Sequence, residues 1–188
     1  MTGIIEIKTD RLLLRQWQLT DFHYFTQLNS NKIVMEFYPN TLNSEQSNEL
    51  AQKIQQRLSD NGWGFWAVEI PDVCKFIGFV GLNRPDYELP FPAPIEIGWR
   101  LSDKYWGSGY ATEAALAALG VGFNQLGFTE IVSFASVLNL ASIKVMKRLQ
   151  MQNTNFYFDH PKIPHAHKLQ QHCLYKITRD QWLVNNIV

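Results

Sequence analysis

A mixed α/β sheet with helices on both faces is the fold class this sequence predicts, and three observations carry the prediction. Two helix-like segments fall in the first third of the chain, a strand–turn–strand hairpin follows, and two strand–helix units occupy the later half. No repeat, linker or low-complexity stretch divides the 188 residues, so they read as a single domain, 1–188, large enough for one substantial core.

The elements follow in order. Residues 4–8 and 12–15 have strand character and flank a turn at Thr9-Asp10. Thr20-Asp21 can cap a short helix that carries Phe22, Phe25 and Leu28 on one side. Asn43 and Gln46 have capping-box spacing for a helix over 44–58, with Leu50, Ala51, Ile54 and Leu58 forming an apolar stripe. After Gly62, the runs 63–70 and 76–83 read as strands joined at Pro71-Asp72, an antiparallel hairpin. Residues 84–94 hold Pro85, Pro90, Pro92 and Pro94; proline cannot donate to a ladder, so this segment should leave the sheet. A strand is predicted over 95–101 and an Ala-rich helix to about residue 124, ended by Gly127. A strand over 129–137, a helix over 139–149 and closing strands at 156–158 and 173–177 complete the chain.

Composition narrows the function classes. Hydrophobic residues make up 46% and aromatic residues 13%, which excludes intrinsic disorder. Lys+Arg and Asp+Glu are equal at 17 each with no basic run, which argues against a nucleic-acid partner. Cys74 and Cys173 are too few for a disulfide framework or a metal cluster and read as core thiols in a reducing compartment. No apolar run is long enough for a bilayer, and the start Met1-Thr2-Gly3 lacks the pattern of a signal peptide. The expectation is a cytoplasmic protein, monomer or homodimer, without metal and without a membrane partner.

The most specific signal lies between the strand 95–101 and the helix after it, in Trp106-Gly107-Ser108-Gly109-Tyr110-Ala111-Thr112-Glu113. A glycine turn at a helix N-terminus aims successive backbone N–H groups at an anion, with the positive end of the helix dipole behind them. No Gly-Lys-Ser/Thr follows, which excludes a P-loop, and a dinucleotide fold places its glycines after the first strand, whereas this turn lies past mid-chain.

A longer string extends that signal. Thr9-Asp10-Arg11-Leu12-Leu13-Leu14-Arg15, Glu96-Ile97-Gly98-Trp99, the glycine turn, Asn139-Leu140-Ala141-Ser142 and His172-Cys173-Leu174-Tyr175 occur in the order that resembles the GNAT (GCN5-related N-acetyltransferase) superfamily. Within it they resemble the RimJ/RimL-like branch of ribosomal-protein N-terminal acetyltransferases. The resemblance implies the GNAT acyl-CoA N-acyltransferase fold: a central, mostly antiparallel sheet, splayed at the acetyl-CoA site. It also implies acetyl-CoA as co-substrate and an amine acceptor, either a peptide N-terminus or a small molecule.

By position in the motifs, Trp106, Gly107, Ser108, Gly109, Tyr110, Ala111 and Thr112 would hold the pyrophosphate, with Trp106 standing where Gln or Arg is usual. The pantetheine arm would pair between strands 95–101 and 129–137 like an added strand. The Trp99 N–H would face the thioester oxygen, the Leu101 backbone would bond a pantetheine amide, and Asn139 would bond the arm from the other side.

Acetyl transfer needs an amine without its proton, a stabilised oxyanion and a proton for the thiolate. Many members supply that proton from a Tyr seven residues after the Asn; here the position is Met146, which cannot donate. Ser142 is the substitute the resemblance suggests, or else a simple helix cap. Glu96 is a candidate base, or else a solvated charge at a strand end; His160, in Phe158-Asp159-His160-Pro161, is a second candidate base, or else structural. Phe37, Tyr38, Trp63, Phe65 and Trp66 could wall the acceptor pocket, with core packing as the alternative. Gln150-Met151 replaces the family's Gly-Phe, which predicts an extended or strained helix end. Met146 and Gln150 keep open a second reading, a CoA-binding protein of the same fold without catalysis.

Overall fold

A computed structural model of the chain describes residues 3–92 and 95–185. Their order is β1 (Ile7–Lys8), β2 (Leu13–Arg15), α1 (Leu19–Ser30), α2 (Ser44–Asn61), β3 (Phe65–Ile70), β4 (Cys74–Asn83) and β5 (Glu96–Leu101). Then come α3 (Tyr110–Gly120), β6 (Glu130–Ser136), α4 (Leu140–Arg148), β7 (Gln152–Asp159), β8 (Gln171–Thr178) and α5 (Arg179–Asn185). Eight strands form one sheet in the order β1-β2-β3-β4-β5-β6-β8-β7. Every neighbouring pair is antiparallel except β5–β6, which is parallel and holds a single register pair, Glu96 with Val132. The predicted splay is therefore present: β5 and β6 touch at their starts and then part.

The helices sit where the apolar residues direct them. The α2 stripe buries Ala51, Ile54 and Leu58, and Asn43 and Gln46 form the capping box the spacing predicts. In α1 the cap differs from expectation. The helix begins one residue before Thr20, and the Asp21 carboxylate accepts from the Gln18 N–H. Beneath it Trp17 packs edge-to-face on Phe25 and tilted on Phe76, at centroid distances of 5.0 and 5.2 Å. On α3, Ala114, Ala115, Ala118 and Leu119 are buried, and small side chains let the helix approach closely. Seven consecutive residues of β4 are buried, because both faces of the central sheet are covered.

Two ionic devices, the first of them buried, tie the sheet edge to the helices. The Arg15 guanidinium reaches Asp21 at 2.8 Å and Glu69 at 2.7 Å, and Lys75 also holds Glu69 at 2.8 Å. Burial would raise the Glu69 pKa, but the bonds from Lys75 and Arg15 outweigh it and hold the carboxyl below its usual range. At the other device, Thr9 Oγ1 donates to Glu113 at 2.6 Å, and Arg11 grips the same carboxylate through its backbone N–H and its guanidinium. These contacts bridge a separation of about one hundred residues and fasten the first turn of α3 to the loop before β2.

Local irregularities mark where pattern reading falls short. The helix after the glycine turn ends in a π-turn, Val121–Gln125, before Gly127 at φ 69°. Gln150 takes φ 60°, so the lost glycine leaves a strained left-handed residue, and α4 stops at Arg148 without extension. The Pro-rich segment leaves the sheet over 84–92, as proline chemistry requires; its Pro94 lies outside the described residues. Trp66 is fully buried and donates to the Ile5 carbonyl, so it belongs to the core and not to a pocket wall.

Candidate active site

Backbone parity on β5 sets up the site. The Ser102 N–H bonds the Ile77 carbonyl on the β4 side, and the Ile95 carbonyl accepts from Val132 on the β6 side. Alternation then directs the polar groups of Ile97, Trp99 and Leu101 toward β6. Beyond the Glu96–Val132 pair β6 has moved away, so those groups line an open cleft. The cleft holds about 270 Å³ and is closed at its far end by the start of α3 and at its side by α4.

At that far end Gly107 and Gly109 have φ values of 78° and 83°, a left-handed geometry that costs any other residue strain. Gly109 is the N-cap of α3, so the first N–H groups of the helix point into the turn. Arg11 braces it from outside: its Nη1 donates to the Ser108 carbonyl at 3.0 Å, and its guanidinium lies 4.7 Å over the Tyr110 ring. Trp106 donates its indole N–H to the Leu101 carbonyl at 2.9 Å, which leaves the Leu101 N–H as its cleft-side backbone donor. Across the cleft, Asn139 caps α4 by accepting from the Ser142 N–H at 3.0 Å.

Most of the predicted donor-site residues come together here. Trp99, Leu101, Trp106, Gly107, Gly109, Tyr110, Ala111, Thr112, Asn139 and Ser142 all line the cleft, and Ser108 stands outside its wall, engaged by Arg11. Phe37 and Tyr38, expected at the acceptor, also line this cleft. Met146 is fully buried, so no side chain from that position reaches it.

A second, larger cavity of about 680 Å³ opens between α2, the hairpin β3–β4, β5 and the loop after β4. Trp63 and Phe65, two of the candidate wall aromatics, line it with Phe79 and Tyr87 beside them. Arg100 lines both cavities and marks their junction. Glu96 lines neither cavity; it sits behind Asn83, which lines the larger one and whose side-chain amide donates to the Glu96 carboxylate at 2.8 Å. Burial pushes the Glu96 carboxyl above the ordinary carboxylate range, and the Asn83 bond only partly offsets this. Arg57 joins the array by donating to Asn83 at 3.2 Å and to Asp86 at 2.6 Å; the Arg57 bond holds Asp86 below its usual range.

His160 lies apart from both cavities. It sits in a cluster of rings with Phe134, Phe158 and His172, the two imidazoles 4.8 Å apart. Burial first, then His172 and Lys162, lower its pKa to about 4, so it is neutral at physiological pH. Its Nδ1 accepts from the Lys162 N–H, which places the ring proton on Nε2, 3.2 Å from the Tyr87 hydroxyl. Tyr87 therefore stands between His160 and the larger cavity. Arg11 and Arg100 were not singled out in the sequence as functional. The period-two alternation from Glu96 through Gly98 would have put Arg100 on the same face as Glu96.

A strand pair that parts beside a glycine-turned helix start is an arrangement suited to an acyl-CoA transferase. The family described as Acetyltransferase (GNAT) domain matches residues 11–152, so the chain belongs to the GNAT acetyltransferase family. It is 26% identical over 178 residues to the uncharacterized N-acetyltransferase YnaD of Bacillus subtilis (strain 168), covering 95% of this chain and 99% of that one. Its fold matches a GNAT-family acetyltransferase from Bacillus anthracis with a TM-score of 0.76 at 25% identity, covering 94% of this chain and 99% of that one. It also matches the spermidine N-acetyltransferase from Vibrio cholerae solved with CoA and spermine, with a TM-score of 0.71 at 20% identity over 93% of this chain and 99% of that one. Among the described residues no cluster of metal-ligating side chains occurs and no helix is long and apolar enough to cross a membrane.

Proposed function

We propose that the protein transfers the acetyl group of acetyl-CoA to a primary amine by direct attack of the amine on the thioester. The observation that carries this reading is the parting of β5 and β6 beside the glycine turn at the start of α3. The residues fit the donor: Gly107, Gly109 and the first turn of α3 would hold its pyrophosphate, and the Leu101 N–H and Asn139 its pantetheine arm. Bound acetyl-CoA supplies an activated acyl carbon. The Trp99 N–H points into the cleft where it would face the thioester oxygen. Glu96, with its raised pKa, would take the proton of the incoming amine directly or through water. Ser142 would return a proton to the sulfur, and its position on the cleft wall supports that role while its backbone completes the Asn139 cap. His160, neutral and outside both cavities, would act only through Tyr87, whose hydroxyl it meets at 3.2 Å.

Within the family the reading keeps the RimJ/RimL-like branch, on the Thr9–Arg11–Glu113 clasp that gives its opening run a structural role. Free thiols at Cys74 and Cys173 support a reducing, cytoplasmic setting. The buried Met146 favours a second reading, a CoA-binding protein without turnover. Calorimetry with acetyl-CoA, CoA and ATP, followed by thiol release with a panel of peptides and small amines, separates the two. The expected result is CoA binding stronger than ATP binding, together with amine-dependent thiol release. Tight CoA binding with no release across the panel would establish the non-catalytic reading instead.

A further inference from the structure

The larger cavity carries a charge signature that bears on the acceptor. Five cationic side chains line it, Lys53, Arg57, Arg84, Arg100 and Lys162, against one carboxylate, Asp86. Arg57 and Lys162 share that carboxylate, at 2.6 and 3.5 Å. Among the described residues no ion pair joins Lys53, Arg84 or Arg100 to an acid.

Arg100 is the sharpest case. Its guanidinium lies 4.1 Å from the Tyr38 ring centre and 5.5 Å from that of Phe79, and donates to Asn29 Oδ1 at 2.5 Å. Its Nε–H is buried without any acceptor. A part-buried guanidinium without a counter-ion costs stability, and such groups persist where a ligand supplies the missing charge. The planar fork is suited to a carboxylate, and flanking aromatic faces hold it in orientation.

We infer that the acceptor is a small amine carrying a carboxylate, which Arg100 engages at the junction of the two cavities, with an apolar body against Trp63 and Phe65. The inference rests on the acetyltransferase reading above and specifies its substrate class. Arg100 lies on the same face of β5 as Glu96, four positions on with Gly98 between them and about 13 Å along the strand, so an amino acid whose acid meets Arg100 presents its amine toward the Glu96 end, with water carrying the proton across the remaining gap. The same lining repels a polycation, the kind of amine bound in the Vibrio cholerae spermidine acetyltransferase.

Matched probes test it: L-phenylalanine, L-phenylalaninamide and phenethylamine, with spermidine as the polycation. Binding to the CoA-loaded protein is read by calorimetry and thiol release from acetyl-CoA by kcat/KM. L-phenylalanine should exceed the amide and the decarboxylated amine at least roughly tenfold in both readouts. Arg100→Gln should abolish the preference without weakening CoA binding, and Lys53→Gln, on the exposed side of α2, should reduce it if Arg100→Gln does not fold. Binding of L-phenylalanine with no thiol release from any of the four amines would overturn the catalytic reading, and the acceptor assignment with it. Thiol release favouring phenethylamine or spermidine would overturn the inference and leave the catalytic reading standing. Failure of L-phenylalanine to bind or react at all also overturns it.

Discussion

Replacing Glu96 with Gln isolates a proton acceptor from its surroundings. The amide keeps the volume of the carboxylate, and its carbonyl oxygen can still accept from Asn83, whose bond to Glu96 is 2.8 Å. Packing on β5 and the Arg57–Asn83 link should therefore persist, and the change falls on proton transfer alone. General-base catalysis contributes roughly 10²–10⁴-fold, or about 3–5 kcal/mol of barrier, and that is the expected fall in kcat/KM. The pH profile sharpens the test. Because burial raises the Glu96 pKa, wild-type kcat/KM should climb as pH passes through that raised value, and the variant should lack this limb. Stability should move the other way. A carboxyl whose folded pKa lies above its unfolded value costs stability once pH rises past the unfolded value, so Glu96→Gln should melt no lower than wild type at neutral pH. The assay is thiol release across pH with the acetyl-CoA affinity measured in parallel. A variant within roughly threefold of wild type at every pH, with CoA binding intact, removes Glu96 from the chemistry.

Ser142→Ala should lower kcat by roughly tenfold or more with little change in acetyl-CoA affinity; unchanged turnover would exclude the hydroxyl as proton donor. Gly109→Val forces a β-branched residue to φ 83° at the N-cap of α3 and should weaken CoA binding at least roughly tenfold by calorimetry, so retained affinity would count against the pyrophosphate assignment. Glu69→Gln leaves buried Arg15 short of one counter-charge and should cost about 3 kcal/mol in chemical denaturation near neutral pH. Since the folded Glu69 pKa is depressed, its contribution is present above the ordinary carboxylate pKa and lost as pH falls through the folded value. The gap between wild type and variant should therefore close in acid, and a gap independent of pH would contradict the ion-pair account.

Short-range chemistry was legible in the chain and long-range geometry was not. The Asn43–Gln46 capping box, the hairpin turn and the glycine cradle are decided by residues within a few positions of one another, and each formed as read. β7 escaped in part: it runs Gln152–Asp159, but a register shift between Asn153 and Tyr157, with Asn155 at φ 58°, breaks the alternation that marks a strand. The larger cavity was readable only as a set of candidate aromatics. Its walls come from α2, β3, β4, β5 and a loop, and no local pattern says that Trp63 reaches it while Trp66 turns into the core. Arg11 and Glu113 show the same limit. Each stood inside a motif, but that one clasps the other depends on how the whole sheet closes.

The lone pair Glu96–Val132 also says something about how the molecule holds itself together. In hydrogen-bonding terms the sheet consists of two slabs, β1–β5 and β6–β8–β7, joined at one point like a hinge with a single pin. A donor bridging Trp99 and Leu101 on one slab to Asn139 on the other would fasten the open side of that hinge. Amide exchange at Trp99 and Leu101 should then slow when CoA is added, making the mechanical continuity of the protein a property of its substrate as much as of its chain.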